Sequence, residues 1–311
     1  MPRRRVLITG GTGFIGRYGA EFLCRLTDDV HIVSRRPNSL GGSATVHPCD
    51  LLQAEQRREL MHRIRPTHML HLAWHTEPGQ FWSSTDNLNW MAASVQLFQT
   101  FRECGGERIV LAGTCAEYDW TRHTLSEYDT PCFPATLYGK AKNGLRAVLA
   151  DAAEQWQISL AWGRIFFLYG PGEKPGRLVS DLIVNLLKGR EFACSEGRQL
   201  RDFMHVADVA RALAELLLSN VRGPVNIASG DAIPVRDVIL TGASIIGRPD
   251  LVRFGTRAGP NHDPPCLAAT VTILRDQVGF KPTYSLESGL RNTVDWWNAQ
   301  LGCASIMKLR R

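Results

Sequence analysis

Three glycines at three-residue spacing stand directly behind the first apolar run of the chain: Val6-Leu7-Ile8 leads into Thr9-Gly10-Gly11-Thr12-Gly13-Phe14-Ile15-Gly16. Few backbones satisfy that pattern. A strand ends, the chain turns tightly at Gly10, passes close to a partner at Gly13, and restarts as a helix lying on the strand at Gly16. Free backbone N–H groups and the positive end of the new helix then favour a pyrophosphate. Gly10, Gly13, Phe14, Ile15 and Gly16 are therefore candidate cofactor-binding residues.

The rest of the first half keeps the same rhythm. Short apolar runs at 6–9, 30–34, 45–47, 68–73, 108–112 and 159–165 alternate with helical patterns at 14–26, 54–64, 89–103 and 138–155. Such alternation predicts an α/β fold, a Rossmann-type doubly wound parallel sheet. After Gly170-Pro171-Gly172 the alternation breaks, and helices are expected at 178–188, 206–218, 235–246 and 286–300. Residues 1–170 read as a dinucleotide-binding domain. Residues 171–311 read mainly as a smaller mixed α/β substrate-binding cap, with some later segment returning to the first domain. Residues 258–265 form a polar, proline-rich loop.

Charge and cysteines exclude other classes. The formal charge is +6, but the basic residues are dispersed, and no basic stripe is interleaved with aromatics. A nucleic-acid partner is not expected, and a small anionic molecule suits the field equally well. No run approaches the roughly 18 apolar residues of a membrane span. The basic start, Met1–Arg5, leads straight into the glycine loop, which argues against a signal peptide. Eight cysteines are scattered without a Cys-x-x-Cys pair or a histidine cluster. Neither a metal site nor a disulfide framework is predicted, and a reducing cytoplasm is the expected setting.

The tip of the second strand bears on the cofactor. A carboxylate there would suit the ribose hydroxyls of NAD, whereas arginine suits a 2′-phosphate. The chain has Ser34-Arg35-Arg36 and no acid. NADP(H) is the preferred cofactor, with Arg35 its first contact, and NAD(H) remains possible.

Tyr138-Gly139-Lys140-Ala141-Lys142 places a phenol and an ammonium one helical turn apart. A free tyrosine, with a pKa of about 10, exchanges protons poorly at neutral pH. A nearby ammonium stabilises the phenolate and makes the phenol a usable acid. Thr114, at the end of the fifth strand, faces the crevice where parallel sheets bind ligands. Thr114, Tyr138 and Lys142 are the candidate catalytic residues, and Tyr138 and Lys142 also reach toward the cofactor.

Glycine loop, hydroxyl and Tyr-x-x-x-Lys, in this order, resemble the extended short-chain dehydrogenase/reductase family, which includes nucleotide-sugar epimerases, dehydratases and 4-ketoreductases. The resemblance implies that Asp50 and Leu51 contact the adenine. It also implies that Leu72, Ala73, Asn89, Phe166 and Leu168 line the cofactor. Arg201, in Arg201-Asp202-Phe203-Met204-His205-Val206, would hold a sugar-nucleotide phosphate. Trp74, Cys115 and Phe167 are candidate substrate-side residues. Trp74 sits in a strand-end loop that could shape the sugar pocket or simply pack, and Phe167 departs from the asparagine the family places near the substrate phosphate. Cys115, one place before the family's epimerising cysteine, reads as a structural thiol. A homodimer is implied by family habit.

Departures from the family narrow the reaction. Dehydratases of the family carry an Asp-Glu pair directly after the threonine, where this chain has Cys115 and Ala116. Elimination then lacks proton carriers, unless Glu117 shifts into place. The leading expectation is NADPH-dependent reduction of a nucleotide-linked 4-keto-6-deoxy sugar, and a nucleotide-sugar 4-epimerase is the alternative. A reductase of aromatic or aldehyde substrates and a non-catalytic dinucleotide sensor stand further off.

Overall fold

The computed structural model describes residues 4–27, 29–35, 43–259 and 263–309, with side chains up to 302. Arg36 lies outside the described residues, as does the middle of the 258–265 loop.

In chain order the first half runs β1 (Val6–Thr9), α1 (Gly16–Cys24), β2 (Val30–Ser34), β3 (Thr45–Pro48), α2 (Ala54–Ile64) and β4 (His68–His71). It continues through α3 (Asp86–Glu103), β5 (Arg108–Thr114), β6 (Thr124–Leu125), α4 (Leu137–Gln155) and β7 (Ser159–Ile165). Then come β8 (Phe167–Tyr169), α5 (Leu178–Leu187), β9 (Phe192–Ala193), β10 (Leu200–His205), α6 (Val206–Leu218) and β11 (Gly223–Ile227). The chain closes with β12 (Ala232–Pro234), α7 (Val235–Ile246), β13 (Val252–Arg253), β14 (Cys266–Ala269) and α8 (Leu286–Leu309).

Seven strands form one parallel sheet in the order β11-β7-β5-β4-β1-β2-β3. Its strands are apolar on both faces because helices cover both. Alternate residues of β1 show this. Val6 and Ile8 join a core completed by Ala20 and Leu23 of α1 and Val209 and Leu213 of α6. Leu7 points the other way, into a core made with Leu60 of α2, Phe98 of α3 and Leu145 of α4.

The second sheet runs β12-β10-β14-β6, with β8 also paired to β10. Helices α5, α7 and α8 pack together beside it, around Val179, Ile183, Val238 and Leu290. Between the two units the chain crosses back: α6 lies on α1, and β11 adds to β7 as the outer strand of the large sheet.

Several boundaries differ from the sequence pattern, the last helix running on to Leu309 instead of 300, and three of the differences have a local reason. Helix α1 begins at Gly16 rather than 14, with Phe14 and Ile15 standing between the turn that Gly13 N–H closes on Gly10 O and the first helical residue. Strand β4 stops at His71, since the amides of Leu72 and Ala73 both donate to the Thr9 hydroxyl at 3.2 Å. Helix α3 begins at Asp86, three residues before the expected start, behind a turn in which Asn87 N–H reaches Ser84 O.

Candidate active site

The glycine loop is a cradle in which only hydrogen fits. A Cβ at Gly16 would stand 2.1 Å from the Gly10 carbonyl oxygen, and Gly10 itself turns with φ +67° against the Ala73 amide. Backbone thus comes as close as it can to whatever rests on the loop, at the N-terminus of α1, which suits a pyrophosphate. Thr12 Oγ1 lies 3.1 Å from Ser34 Oγ and ties the loop to the tip of β2. Arg35, just beyond Ser34, is exposed and unencumbered by an ion pair among the described residues. Asp50 takes the Leu52 amide at 3.1 Å, and Leu51 is buried beneath it.

A buried relay braces this cradle. Thr9 Oγ1 accepts from the Leu72 and Ala73 amides, so its own hydrogen is left for His71 Nδ1 at 2.7 Å. His71 Nε2–H must then donate to Ser94 Oγ at 2.9 Å, and Ser94 donates to Trp90 O at 2.7 Å. Burial pushes the imidazole down to about 3 and keeps it neutral. Glycine loop, β4 and α3 are bolted together through one ring.

Two asparagines stand near the head of α3. Asn89 is exposed and reaches only Asp86 Oδ1, at 3.4 Å. Asn87, two residues earlier and hence on the opposite side of the helix, is the buried one. Its amide donates to Phe81 O and Ser84 O at 2.7 and 2.8 Å, and its oxygen accepts from the Trp74 indole at 2.9 Å.

Thr114 and Tyr138 come together as the sequence implied. Thr114 ends β5, buried, and Tyr138 opens α4, whose N-cap Thr136 accepts from Gly139 N–H at 3.1 Å. The Tyr138 ring meets Phe81 edge-on at 4.9 Å and Trp82 at 5.8 Å, with Trp120 beyond Trp82. Burial lifts the phenol above its ordinary value, while a hydrogen bond with the Thr114 side chain draws it back down. The shift leaves the phenol protonated at neutral pH, ready to donate and slow to give up its proton unaided.

Lys142, one turn along α4 from Tyr138, finds partners from outside its own helix. Its ammonium donates to Ala112 O at 2.8 Å and lies 3.7 Å from the centre of the Trp74 ring. Desolvation, opposed by Glu117, pushes it down to about 7. The i, i+4 relation put both side chains on one helix face, but β5 and Trp74 decide where the lysine ends. Arg177 lies over the Phe81 ring, 5.1 Å from its centre. Trp74, expected beside the sugar, covers this lysine instead.

The turn after Thr114 offers no free proton carrier. Glu117 is fully buried and accepts from the Thr114 amide at 2.8 Å, from the Trp162 indole at 2.9 Å and from Arg164 Nε at 2.9 Å. A shift of Glu117 into the dehydratase position is ruled out by those bonds. Burial pushes the Cys115 thiol up to about 12, and Ala116 carries nothing to titrate.

On the second sheet, Arg201 is buried and paired with Asp263 of the 258–265 loop, over the Phe167 ring at 5.5 Å. Beside it opens a groove of about 370 Å³ lined by Ser195, Arg198, Gln199, Arg257 and Asp263. Phe166 is buried with Cys115 and Tyr118, and Leu168 is partly buried against the large sheet's core. No group of three or more His, Cys, Asp or Glu among the described residues could hold a metal ion, and no described helix is long and apolar enough to cross a membrane.

The profile of the NAD dependent epimerase/dehydratase family matches residues 6–228. The chain belongs to that family. Over 95% of its length it is 31% identical to MoeE5, solved in complex with UDP-glucuronic acid and NAD, at a TM-score of 0.81 and with 99% of that chain covered. The dTDP-6-deoxy-L-talose 4-dehydrogenase (NAD(+)) of Aggregatibacter actinomycetemcomitans is 26% identical over 243 residues, 75% of this chain and 87% of the relative. The UDP-glucose 4-epimerase of Azospirillum brasilense is 26% identical over 322 residues, 94% and 91% of the two chains. The protein is therefore an enzyme of NAD-linked sugar-nucleotide chemistry.

Sequence reasoning missed Asn87, the Thr9–His71–Ser94 relay and Arg177. A histidine interrupting an otherwise apolar strand end was the one available sign of the relay.

Proposed function

We propose that the protein reduces a nucleotide-linked 4-keto-6-deoxy sugar to the alcohol, with NADPH as reductant. The observation that carries this reading is a site with one proton donor. Thr114 and Tyr138 stand together, while Glu117 is locked by three donors and Cys115 and Ala116 offer no base. A single acid suffices for a carbonyl becoming an alcohol, whereas elimination needs a second carrier.

The dinucleotide, when bound, supplies hydride chemistry at its nicotinamide. Thr114 polarises the carbonyl oxygen and Tyr138 gives it a proton. Lys142 turns from the Trp74 face toward the cofactor ribose. Arg201 exchanges Asp263 for the substrate's diphosphate, with the adjacent groove taking the nucleoside. Arg35 grips the 2′-phosphate, its exposure leaving it free to do so. Residues from 171 onward serve mainly as the cap over the cleft, and the exposed Leu88 and Val148 of α3 and α4 supply a face for a homodimer in the cytoplasm.

NADPH oxidation followed across a panel of nucleoside-diphosphate 4-keto sugars tests the reading, and silence across the panel removes it. The likeness to a UDP-glucose 4-epimerase favours a second reading, 4-epimerisation with a retained cofactor. Purified protein carrying stoichiometric oxidised cofactor, with no net NADPH consumption, would select it.

A further inference from the structure

One helix braces both the glycine cradle and the loop beside it. Ser94 of α3 holds the ring of His71, and two residues further on Gln96 accepts from the guanidinium of Arg57 on α2. Arg57 is 3% exposed, and its other terminal nitrogen donates to Leu51 O. Both acceptors are neutral. A cation stripped of water and given only neutral partners is a costly clamp. What it clamps is a peptide plane.

Leu51 lies just past the carboxyl end of β3, on the side where a parallel sheet binds its ligands. Cys49 N–H donates to Ser34 O at 3.1 Å and sews this loop to the tip of β2. The peptide bonds of the described residues are trans, and in a trans peptide C=O and N–H point opposite ways. With Leu51 O drawn to Arg57, the Leu52 amide is turned away from it and donates to Asp50 Oδ1 at 3.1 Å. The backbone of Asp50 is pinned as well. Its N–H donates to Gln56 Oε1 at 2.8 Å, and its carbonyl accepts from Gln53 N–H at 2.9 Å. One carboxylate oxygen is thereby committed, while Oδ2 bonds no described residue. An oxygen that offers only lone pairs accepts from an amine and repels a carbonyl.

We propose that Arg57 is a positioning residue for the dinucleotide: by fixing the 51–52 peptide it sets Asp50 Oδ2 toward the amino group of the adenine, and so governs the preference for adenine over a 6-oxo purine. The proposal rests on the reading that Asp50 meets the adenine. Arg57 touches no ligand itself and acts through Leu51, Leu52 and Asp50 in turn. A lysine in its place would reach Leu51 O or Gln96, whereas the fork of an arginine spans both.

The test is a ratio of affinities, read without turnover. Binding of NADPH and of its deamino analogue, in which a carbonyl oxygen replaces the amino group of the base, is titrated by fluorescence. Where NADH binds more tightly, NADH and deamino-NADH take their place. Wild type should prefer the adenine form by about tenfold to a hundredfold, the worth of a hydrogen bond to a charged acceptor. In Arg57→Met that preference should shrink to about twofold, with Arg57→Lys restoring part of it. Gln96→Ala, at an exposed position, frees one side of the guanidinium without opening the core. It should lower the ratio about threefold, and it carries the test where the methionine variant folds poorly. Variants that lose affinity equally for both dinucleotides, and so keep the wild-type ratio, overturn the proposal and leave Arg57 a packing residue. A wild type indifferent to the amino group sinks the adenine reading of Asp50, and the proposal with it.

Discussion

At the glycine-loop end of the site the groups on offer are backbone: glycines 10, 13 and 16 at the head of α1, with the amides of Leu72 and Ala73 held by one threonine hydroxyl. At the Tyr138 end they are side chains drawn from distant segments. Phe81 and Trp82 come from the loop after β4, Thr114 from β5, Trp120 from the loop beyond it, Tyr138 from α4 and Arg177 from the head of α5. The first end is rigid because a short loop has no other way to close. The second depends on side chains whose charges are set by burial and by one another, so substitutions at the two ends should separate cofactor affinity from turnover.

The largest separation is expected from Tyr138→Phe. Losing a positioned acid costs about 10²- to 10⁴-fold in kcat, while NADPH affinity measured by fluorescence should stay within about twofold, since the cradle is untouched. Comparable losses in both would break the division between the two ends.

Arg164→Met strikes beneath the substrate end. It strands the Glu117 carboxylate, which is fully buried with an arginine of 2% side-chain exposure as its ion partner. Removing one member of such a pair typically costs about 3–5 kcal/mol, so chemical denaturation should show a large loss of stability. A nearly unchanged midpoint would mean that the indole and the Thr114 amide alone can hold Glu117.

Gly16→Ala attacks the other end. The added methyl would meet the Gly10 carbonyl at 2.1 Å, so the loop itself must move. A loss of about 1–3 kcal/mol is expected for such overpacking, together with a roughly tenfold weaker hold on the dinucleotide. Cofactor affinity equal to wild type would show that the cradle is softer than its contacts imply.

The smallest effect sharpens the account of the Arg177 turn. Burial pushes the Glu173 carboxyl up from 4.5 to about 8. Between those values the native chain keeps a proton that the unfolded chain has released, so stability should fall as pH rises through that window. Glu173→Gln keeps an acceptor for Ser180 N–H and cannot ionise. Its melting midpoint should therefore gain on wild type between pH 5 and pH 8, and parallel midpoints over that range would refute the buried neutral carboxyl.

Much of this was readable from order and spacing. The glycine loop, the alternation of strand and helix, and Thr114 with Tyr138 follow from local rules, because a tight turn, a period of two or 3.6 and a strand end each leave a mark within a few residues. Where a long side chain ends leaves no such mark. Lys142 was placed by its spacing on the right face of α4, yet Ala112 O and Trp74, far away in sequence, took its ammonium. Asn89 stood near the expected position, but the burial of α3 against its neighbours selected Asn87. Arg177 was invisible, since its approach to the Phe81 ring arises only when the segment before α5 is tied, through Lys174 and Glu77, to the loop carrying Phe81. Chain order thus determined the sheet, the glycine turn at the head of α1 and the meeting of Thr114 with Tyr138. Tertiary packing decided which charges surround that phenol, because desolvation and pairing act through space between segments that the sequence keeps apart.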